Sequence, residues 1–262
     1  MGKLSEVETK RYTICLWGKP KIGKTVLASQ FPSPFFIDLD GGISSVRALR
    51  REKKLSFDFD VIELDEEPTE DEDFLKLCGK TFGKLSAWEK AKKLNNVLCR
   101  KMPKDSTLVV DNTSRLNEYL VAYIMKRSGH RPLQIQDWGE VVNEFTDFLN
   151  DIKSATCNVI LISHEEYRTD EVTKETERLI LLNTKIRFRI PSVVSEFLYM
   201  STRVRGPRSK REVIRFLQST PDQQTATGSR ALIPDIENPT YEKLRPYLER
   251  ALNRKLPGPT WR

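Results

Sequence analysis

The 262-residue chain is 38% hydrophobic and 31% charged, and no run approaches the roughly 18 apolar residues of a membrane span. This composition excludes a disordered chain, and the length suffices for one large core without disulfide bonds or a structural metal. The net charge of +7 comes from residues 201–262, where 13 Lys and Arg face 6 Asp and Glu. A polyanion is therefore the expected partner of this C-terminal quarter.

Five apolar, β-rich runs alternate with segments of helical periodicity, which is typical of an α/β domain built on a mainly parallel sheet. Several runs are apolar on both faces, as strands covered by helices on both sides are. The predicted strands are residues 12–17, 35–39, 59–64, 107–111 and 158–163, and the predicted helices begin near Lys24, Ile43, Leu85, Ser114 and Asp137. In the last helix, Asp137 and Glu140 form a predicted capping pair.

Beyond the fifth predicted strand the pattern changes. Residues 165–182 are polar and predict a loop or hairpin inserted after the strand end. Residues 184–191 then alternate between basic and apolar side chains, which is the period of a β-strand. The alternation places Lys185, Arg187 and Arg189 on one face and Ile186, Phe188 and Ile190 on the other.

The last part of the chain is expected to add a basic hairpin and a helix. Residues 197–204 and 211–218 predict two antiparallel strands joined by the basic turn RGPRSK, and a helix is expected around 241–254. The resulting division is a core at 1–220, which includes the inserted segment 165–190 and the basic hairpin 197–218, followed by a basic extension at 221–262 packed on the core.

The strongest motif is GKPKIGKT at residues 18–25, a complete G-x-x-x-x-G-K-T that follows an apolar strand and opens a helix. Its glycines allow backbone N–H groups to turn toward phosphate oxygens, and the positive end of the helix points at the same anion. Lys24 is predicted to reach the β- and γ-phosphates, and Thr25 to bind Mg²⁺. The predicted nucleotide-binding residues are Gly18, Lys19, Pro20, Lys21, Ile22, Gly23, Lys24, Thr25 and Val26.

A second strand end supplies the partner of this motif. TLVVDN at 107–112 places Asp111 at the edge of the sheet, where a carboxylate can hold a Mg²⁺-bound water. The 87 residues between Lys24 and Asp111 leave room for two further strand–helix units and weigh against a small nucleotide kinase. Because the sequence has no NKxD-like guanine signature, we predict ATP with Mg²⁺ rather than GTP.

Hydrolysis also needs a group that orients the attacking water. FFIDLDGG at 35–42 places Asp38 and Asp40 on the same side of another strand end, so periodicity alone does not choose between them. ISHEE at 162–166 ends the fifth strand at the same edge, where Ser163 or His164 can sense the γ-phosphate.

Clustered cations in the predicted hairpin indicate either a nucleic-acid surface or a solvated hairpin tip. Basic grooves bind phosphate backbones with an affinity that falls steeply with salt, and flat side chains stack on bases. Tyr199 and Phe216 flank the cluster, which also contains Arg215. With Arg189 from the alternating segment, the candidate DNA-binding residues are Arg189, Arg203, Arg205, Arg208, Lys210 and Arg211.

In order along the chain, GKPKIGKT, FFIDLDGG, TLVVDNTSRL, QDWGEVVNEF and VILISHEE resemble the RecA-type ATPases. The likeness is greatest to the small phage-encoded recombination ATPases of the Sak annealase group, and it covers roughly residues 10–220. The resemblance implies a RecA-like P-loop NTPase core, in which a twisted, mainly parallel sheet is flanked by helices. It also implies hydrolysis of ATP that is stimulated by DNA.

The resemblance further implies roles for single residues. In RecA and RadA relatives a strand ending I-D-x-E-G supplies the acid that polarises water, and IDLDG at 37–41 matches it with Asp40 in the Glu place. The family binds ATP between neighbouring subunits, with a basic finger supplied in trans. TATGSRALIP at 225–234 resembles the finger-bearing stretch of RadA-like proteins and nominates Arg230, with Lys185, Arg187 or Arg189 as alternatives.

The leading hypothesis is an ATPase that oligomerises on single-stranded DNA and promotes annealing or strand exchange, with or without a separate single-strand-binding protein. The family places the DNA against loops at about 165–190. Two alternatives stay open: an ATP-switched DNA-binding or assembly protein with little turnover, and a P-loop kinase of a small molecule. Four cysteines without a CxxC pair predict reduced thiols in a cytoplasm, that of the host if the chain is phage-encoded.

Overall fold

A computed structural model describes residues 10–53, 56–65, 72–79, 84–172, 174–207 and 211–261. The strands are β1 (Thr13–Gly18), β2 (Pro34–Asp38), β3 (Val61–Glu63), β4 (Thr107–Asp111), β5 (Asn158–Ser163), β6 (Glu165–Thr169), β7 (Thr176–Ile180), β8 (Glu196–Arg205), β9 (Glu212–Gln218), β10 (Gly228–Ser229) and β11 (Ile236–Glu237). The helices are α1 (Lys24–Ala28), α2 (Ile43–Glu52), α3 (Glu72–Cys78), α4 (Ala87–Lys101), α5 (Thr113–Ser128), α6 (Ile135–Lys153), α7 (Thr184–Arg187), α8 (Ile190–Val193) and α9 (Tyr241–Leu252).

The main sheet is mostly parallel, as predicted for an α/β chain. Its strands lie in the order β11-β9-β8-β1-β5-β4-β2-β3, and β10 also pairs with β8. The pairs from β8 to β3 are all parallel, whereas β9, β10 and β11 are added antiparallel. Strands β6 and β7 form a separate antiparallel hairpin. Because β1, β2, β4 and β5 are parallel neighbours, their carboxyl ends meet at one edge, where α/β proteins bind ligands.

Both faces of the sheet are covered, because the central strands are apolar at successive positions. In β1, Cys15 and Trp17 belong to a core cluster shared with α4, α5 and α6, while Ile14 and Leu16 belong to another shared with α1, α2 and α9. All six residues of β1 are buried. The strand is thereby fixed on both sides, and the loop that follows it starts from a rigid position.

Most predicted strands lie where the sequence places them. The strands predicted at 107–111 and 158–163 have those bounds, those at 12–17 and 35–39 are shifted by one residue, and the one at 59–64 is shorter. Helix α3 was not predicted. In the described part of the chain, no helix is both long and apolar enough to cross a membrane.

Helix α6 begins two residues before its predicted start. The Asp137 carboxylate accepts the N–H of Gln134 at 2.7 Å, so Asp137 closes the first turn from its third position rather than beginning the helix. Glu140 forms an ion pair with Arg127 of α5. The predicted Asp137–Glu140 capping pair is therefore wrong.

The alternating segment 184–191 forms two short helical turns, so the strand prediction is wrong. The Asn183 side chain accepts the N–H of Lys185 at 3.1 Å and caps α7. Ile186 and Ile190 are fully buried, whereas Phe188 between them is 74% exposed. Apolar residues four positions apart suit a helix as well as a strand, so alternation over a few residues did not distinguish the two.

The predicted basic hairpin is formed by β8 and β9. Tyr199 lies opposite Gln218 near its base, and Arg205 lies opposite Glu212 near its tip. Since Gly18 at the end of β1 is level with Met200, the last five residues of β8 extend beyond β1 and pair with β9. The chain after residue 220 contributes β10 and β11 to the sheet and α9 to one of its faces.

Candidate functional site

The loop between β1 and α1 surrounds the ammonium group of Lys24. Lys24 Nζ donates to the carbonyls of Gly18 at 2.9 Å and Lys19 at 2.6 Å, and the residue is 4% exposed. Gly23, just before the helix, has a φ of +99°, in the left-handed region that a residue with a Cβ rarely adopts. The loop thus holds a cation at the start of a helix, in the arrangement that binds phosphate.

A cleft of about 950 Å³ lies beside this loop, and six of the nine predicted nucleotide-binding residues line it: Pro20, Lys21, Gly23, Lys24, Thr25 and Val26. The other three contribute backbone carbonyls. Those of Gly18 and Lys19 hold Lys24, and that of Ile22 accepts a hydrogen bond from Arg215 Nε at 3.1 Å.

Thr25 and Asp111 meet at the predicted place. Thr25 Oγ1 donates to Asp111 Oδ2 at 2.6 Å, and Asp111 is 3% exposed at the end of β4. The backbone of Gly42 passes beside this pair so closely that a Cβ there would lie 2.8 Å from Asp111 Oδ2. Gly42 was not predicted, and its only signal was the glycine pair that follows the strand-end aspartates.

Burial dominates the electrostatics of the cleft. It lowers the pKa of Lys24 to about 8, although the carboxylates of Asp111, Glu165 and Asp40 act in the opposite direction. It also raises the pKa of Asp111 to about 7, against the hydrogen bond from Thr25. A phosphate beside Lys24 and a cation beside Asp111 would each favour the charged form again. These residues, with the space that Gly42 leaves, therefore fit a nucleotide with Mg²⁺.

The two aspartates that follow β2 have different roles in the turn. Asp38 is 2% exposed, and its carboxylate accepts three backbone N–H groups, those of Asp40, Gly42 and Ile43, at 3.0 to 3.2 Å. Asp38 therefore shapes the turn. Asp40 lines the cleft with a side chain that is 46% exposed.

Asp40 belongs to a strand-end cluster with Asn112 and His164, from the ends of β2, β4 and β5. Asn112 Nδ2 donates to Asp40 Oδ2 at 2.9 Å and lies 2.9 Å from His164 Nε2, which is 3.2 Å from Asp40 Oδ2. Asn112 Oδ1 accepts the N–H of Arg115 at 2.8 Å, which fixes the orientation of the amide. Asn112 was not predicted, and its only signal was its place directly after Asp111.

His164 rather than Ser163 faces the cleft. Its Nδ1 lies 3.5 Å from Lys24 Nζ, and its backbone N–H donates to Ser114 Oγ at 3.0 Å. Ser163 is fully buried and bonded to the hydroxyl of Thr113, behind the strand end.

The four predicted finger residues, which include the exposed Arg189, lie in different surroundings. Lys185 and Arg230 are exposed. Arg230 is joined through Ser195 to the first residue of β1, at the edge of the sheet opposite the cleft of its own chain. The side chain of Arg187 is 12% exposed and is paired with Glu166, which weighs against a role in a neighbouring subunit.

Four of the candidate DNA-binding residues are exposed: Arg189, Arg203, Arg205 and Arg211. Arg208 and Lys210 lie outside the described residues. The guanidinium of Arg203 lies 3.2 Å from the ring centroid of Phe216, and Arg205 lies 3.4 Å from a carboxylate oxygen of Glu237. Phe216 and Tyr199, which flank the cluster in the sequence, are 6% and 4% exposed, so little of either ring is available to a base.

The mostly parallel sheet and the loop around Lys24 define a P-loop nucleotide-binding protein. A family model described as an AAA domain matches residues 10–231. The chain therefore belongs to this family of P-loop ATPase domains. No curated protein matches it.

The solved structures that are similar to the chain include the following two. One is a prototypical ATPase from the type III secretion system of pathogenic bacteria, at 13% identity and a TM-score of 0.43, with 72% of this chain and 51% of that chain covered. The other is the flagellar accessory protein FlaH from Methanocaldococcus jannaschii, at 13% identity and a TM-score of 0.36, with 80% and 78% covered. This chain spans about half the length of the secretion ATPase.

Proposed function

We propose that the protein binds ATP with Mg²⁺ in the cleft beside residues 18–25 and hydrolyses it. The observation that carries the proposal is a convergence at one sheet edge. Lys24, the Thr25–Asp111 pair, and Asp40 and His164 of the strand-end cluster come from the ends of four parallel strands, yet all line one cleft. A phosphate cradle, a site for a hard cation and a carboxylate for water are the parts that phosphoryl transfer to water requires.

The buried cation and the Thr25–Asp111 pair would hold the triphosphate. Lys24 offers its ammonium to the β- and γ-phosphate oxygens. Its contacts with the loop carbonyls offset the free-energy cost of burying the charge. Thr25 Oγ1 and Asp111 would hold Mg²⁺, directly and through water. When bound, Mg²⁺ neutralises charge on the β- and γ-phosphate oxygens.

The strand-end cluster would orient the attacking water. One carboxylate oxygen of Asp40 contacts Asn112 and His164. Because the side chain is about half exposed, the other oxygen can accept a hydrogen bond from a water molecule. His164 lies between Asp40 and Lys24 and leads directly into β6. It is therefore suited to sense the γ-phosphate and pass its loss to the β6–β7 hairpin.

The proposed working form is a ring or filament of identical subunits on single-stranded DNA, as in the phage recombination ATPases that the sequence resembles. The charge of the C-terminal quarter and the exposed cations near the hairpin tip support a DNA partner. Arg230, exposed at the edge opposite its own cleft, suits a finger that reaches a neighbour's nucleotide, with Lys185 as the alternative.

The test is ATP turnover with and without single-stranded DNA, at low and high salt. Wild type should turn over ATP faster with DNA, and salt should abolish the stimulation. Lys24→Ala should lose about 100-fold or more of the turnover with its fold intact, because a preorganised cation is removed from the developing charge. Lys126→Ala, an exposed lysine of α5, is the matched control. Unchanged turnover in Lys24→Ala would overturn the proposal, and turnover indifferent to DNA would remove its DNA part.

A second candidate function is an ATP-switched assembly protein with little turnover. It is favoured by the strand-end cluster, in which the short Asp40 side chain is already tied to Asn112 and His164. ATP binding that changes the oligomeric state without releasing phosphate would support the switch. A kinase would instead form ADP only when an acceptor molecule is present.

A further inference from the structure

The cleft continues past the phosphate loop on the side away from the strand-end cluster. In the sheet, β5, β4 and β2 lie on one side of β1, and β8 and β9 lie on the other. The cleft wall on this second side includes Met200, Arg215 and the segment Asn238, Pro239 and Thr240. None of these side chains belongs to the phosphate-binding or water-orienting groups described above.

Arg215 is held across the backbone of the phosphate loop. Its Nε donates to the carbonyl of Ile22 at 3.1 Å. A Cβ on Gly23 would lie 2.8 Å from the same nitrogen, so the guanidinium rests on the glycine. Although Arg215 stands in the basic hairpin by sequence, its side chain is directed into the cleft.

Arg215 and Asn238 fix each other. The N–H of Arg215 donates to Asn238 Oδ1 at 3.1 Å, and the N–H of Asn238 donates to the carbonyl of Arg215 at 2.7 Å. Lys243 Nζ donates to the carbonyl of Asn238 at 2.9 Å. Among the described residues, neither the terminal nitrogens of Arg215 nor Asn238 Nδ2 have a hydrogen-bond partner. The residues of this wall therefore carry three donor nitrogens without a partner in the described part of the chain, next to the apolar Pro239.

We infer that this wall is the subsite for the nucleoside half of the bound nucleotide, with Arg215 and Asn238 donating to its base and ribose. The inference rests on the proposed function, because the γ-phosphate must face Lys24 and the strand-end cluster. A triphosphate that runs along the loop then delivers its nucleoside to the β8–β9 side. Ring nitrogens of a purine and ribose oxygens are acceptors that suit a set of donors, and a planar guanidinium also stacks on a base. The basic extension thus supplies part of the nucleotide site.

The test compares ATP with inorganic tripolyphosphate, which has the phosphates but no nucleoside. Affinities for both ligands, each with Mg²⁺, are measured by calorimetry for wild type, Arg215→Ala and Asn238→Asp. The second variant keeps the Oδ1 acceptor for Arg215 and replaces the amide donor with a carboxylate oxygen. It also adds one negative charge, whose general effect on anion binding is measured with tripolyphosphate. Each variant should bind ATP about tenfold more weakly, which is the usual effect of losing one hydrogen bond in a charged site, and tripolyphosphate within about threefold of wild type. Arg100→Ala, an exposed arginine of α4, should change neither affinity.

Two outcomes would overturn the inference while leaving the proposed function standing. One is an equal loss of affinity for both ligands, which would mean that Arg215 only supports the phosphate loop. The other is unchanged ATP affinity in both variants, which would place the nucleoside elsewhere, for example along α2. If wild type binds neither ligand, or if Lys24→Ala binds both as well as wild type, the proposed function itself fails.

Discussion

The nucleotide cleft and the tip of the basic hairpin both present cations, but they hold them in opposite ways. Lys24 is 4% exposed, and its ammonium contacts two loop carbonyls and lies near His164. Arg205 at the hairpin is exposed, and its partner Glu237 is a surface carboxylate. A buried cation is specified by its neighbours, whereas an exposed one acts through charge and spacing. Single substitutions in the cleft should therefore change ATP binding or turnover, whereas DNA binding by the hairpin should depend on its summed charge.

The largest expected effect is on ATP turnover, and it distinguishes Asp40 from Asp38 within the cleft. Asp40→Asn should lower ATP turnover about 100-fold and leave ATP affinity within about threefold, because it removes the group that orients water and little of the binding surface. Steady-state turnover and direct binding measure the two quantities.

Asp38→Ala is the matched control. It leaves three backbone N–H groups of the turn without their acceptor, so it should lower the free energy of unfolding by about 3 kcal/mol. If Asp38→Ala folded with wild-type stability and lost turnover while Asp40→Asn retained it, the assignment of the two aspartates would be reversed.

A smaller effect is expected at Gly42. A Cβ in Gly42→Ala would lie 2.8 Å from Asp111 Oδ2 and 3.1 Å from Thr25 Oγ1. We expect about a tenfold loss of ATP affinity in the presence of Mg²⁺, and little loss without it, because the crowding falls on the oxygens that would hold the cation.

The control is Gly139→Ala in α6, where a Cβ meets open space. It should raise stability by about 0.5–1 kcal/mol and leave the affinity unchanged. Equal magnesium-dependent affinity in Gly42→Ala and wild type would exclude Thr25 and Asp111 as the cation site.

The smallest effect per residue is expected in the hairpin, on the affinity for single-stranded DNA. Neutralising Arg208, Lys210 and Arg211 together should weaken binding of single-stranded DNA several-fold. It should also reduce the slope of log affinity against log salt by about 2, at about 0.7 per lost phosphate contact. Fluorescence anisotropy over a salt series measures both.

The matched control neutralises Arg100, Lys101 and Lys104, three exposed cations at the end of α4 and just beyond it. This triple variant removes the same charge from another surface, so it separates a local effect from a change in net charge. The same slope in both triple variants would mean that the hairpin has no special role.

The fold was predictable where apolar runs have clear ends. Strands β4 and β5 have their predicted bounds, since each is a run of buried residues between polar loops. The segment 184–191 was mispredicted because Ile186 and Ile190 fit two periods at once. Local pattern fixes an element only when it is long enough to exclude the other period.

The sequence by itself determined the phosphate loop, because Lys24 and Thr25 act through a contiguous motif whose backbone conformation is local. It also identified Asp111 as the partner of Thr25, since a carboxylate at a strand end lies at a predictable edge.

Only the tertiary structure decided between Asp38 and Asp40 as the side chain that faces the cleft, and only it brought Asn112, Gly42 and Arg215 to the site. Their contacts join strands and loops that are far apart in the chain. Arg215 lies among the hairpin cations in the sequence, yet its guanidinium rests on the phosphate loop. Its hydrogen-bond partner there, Ile22, is 193 residues away along the chain. Such contacts depend on the order and register of the strands, which cannot be read from a single sequence.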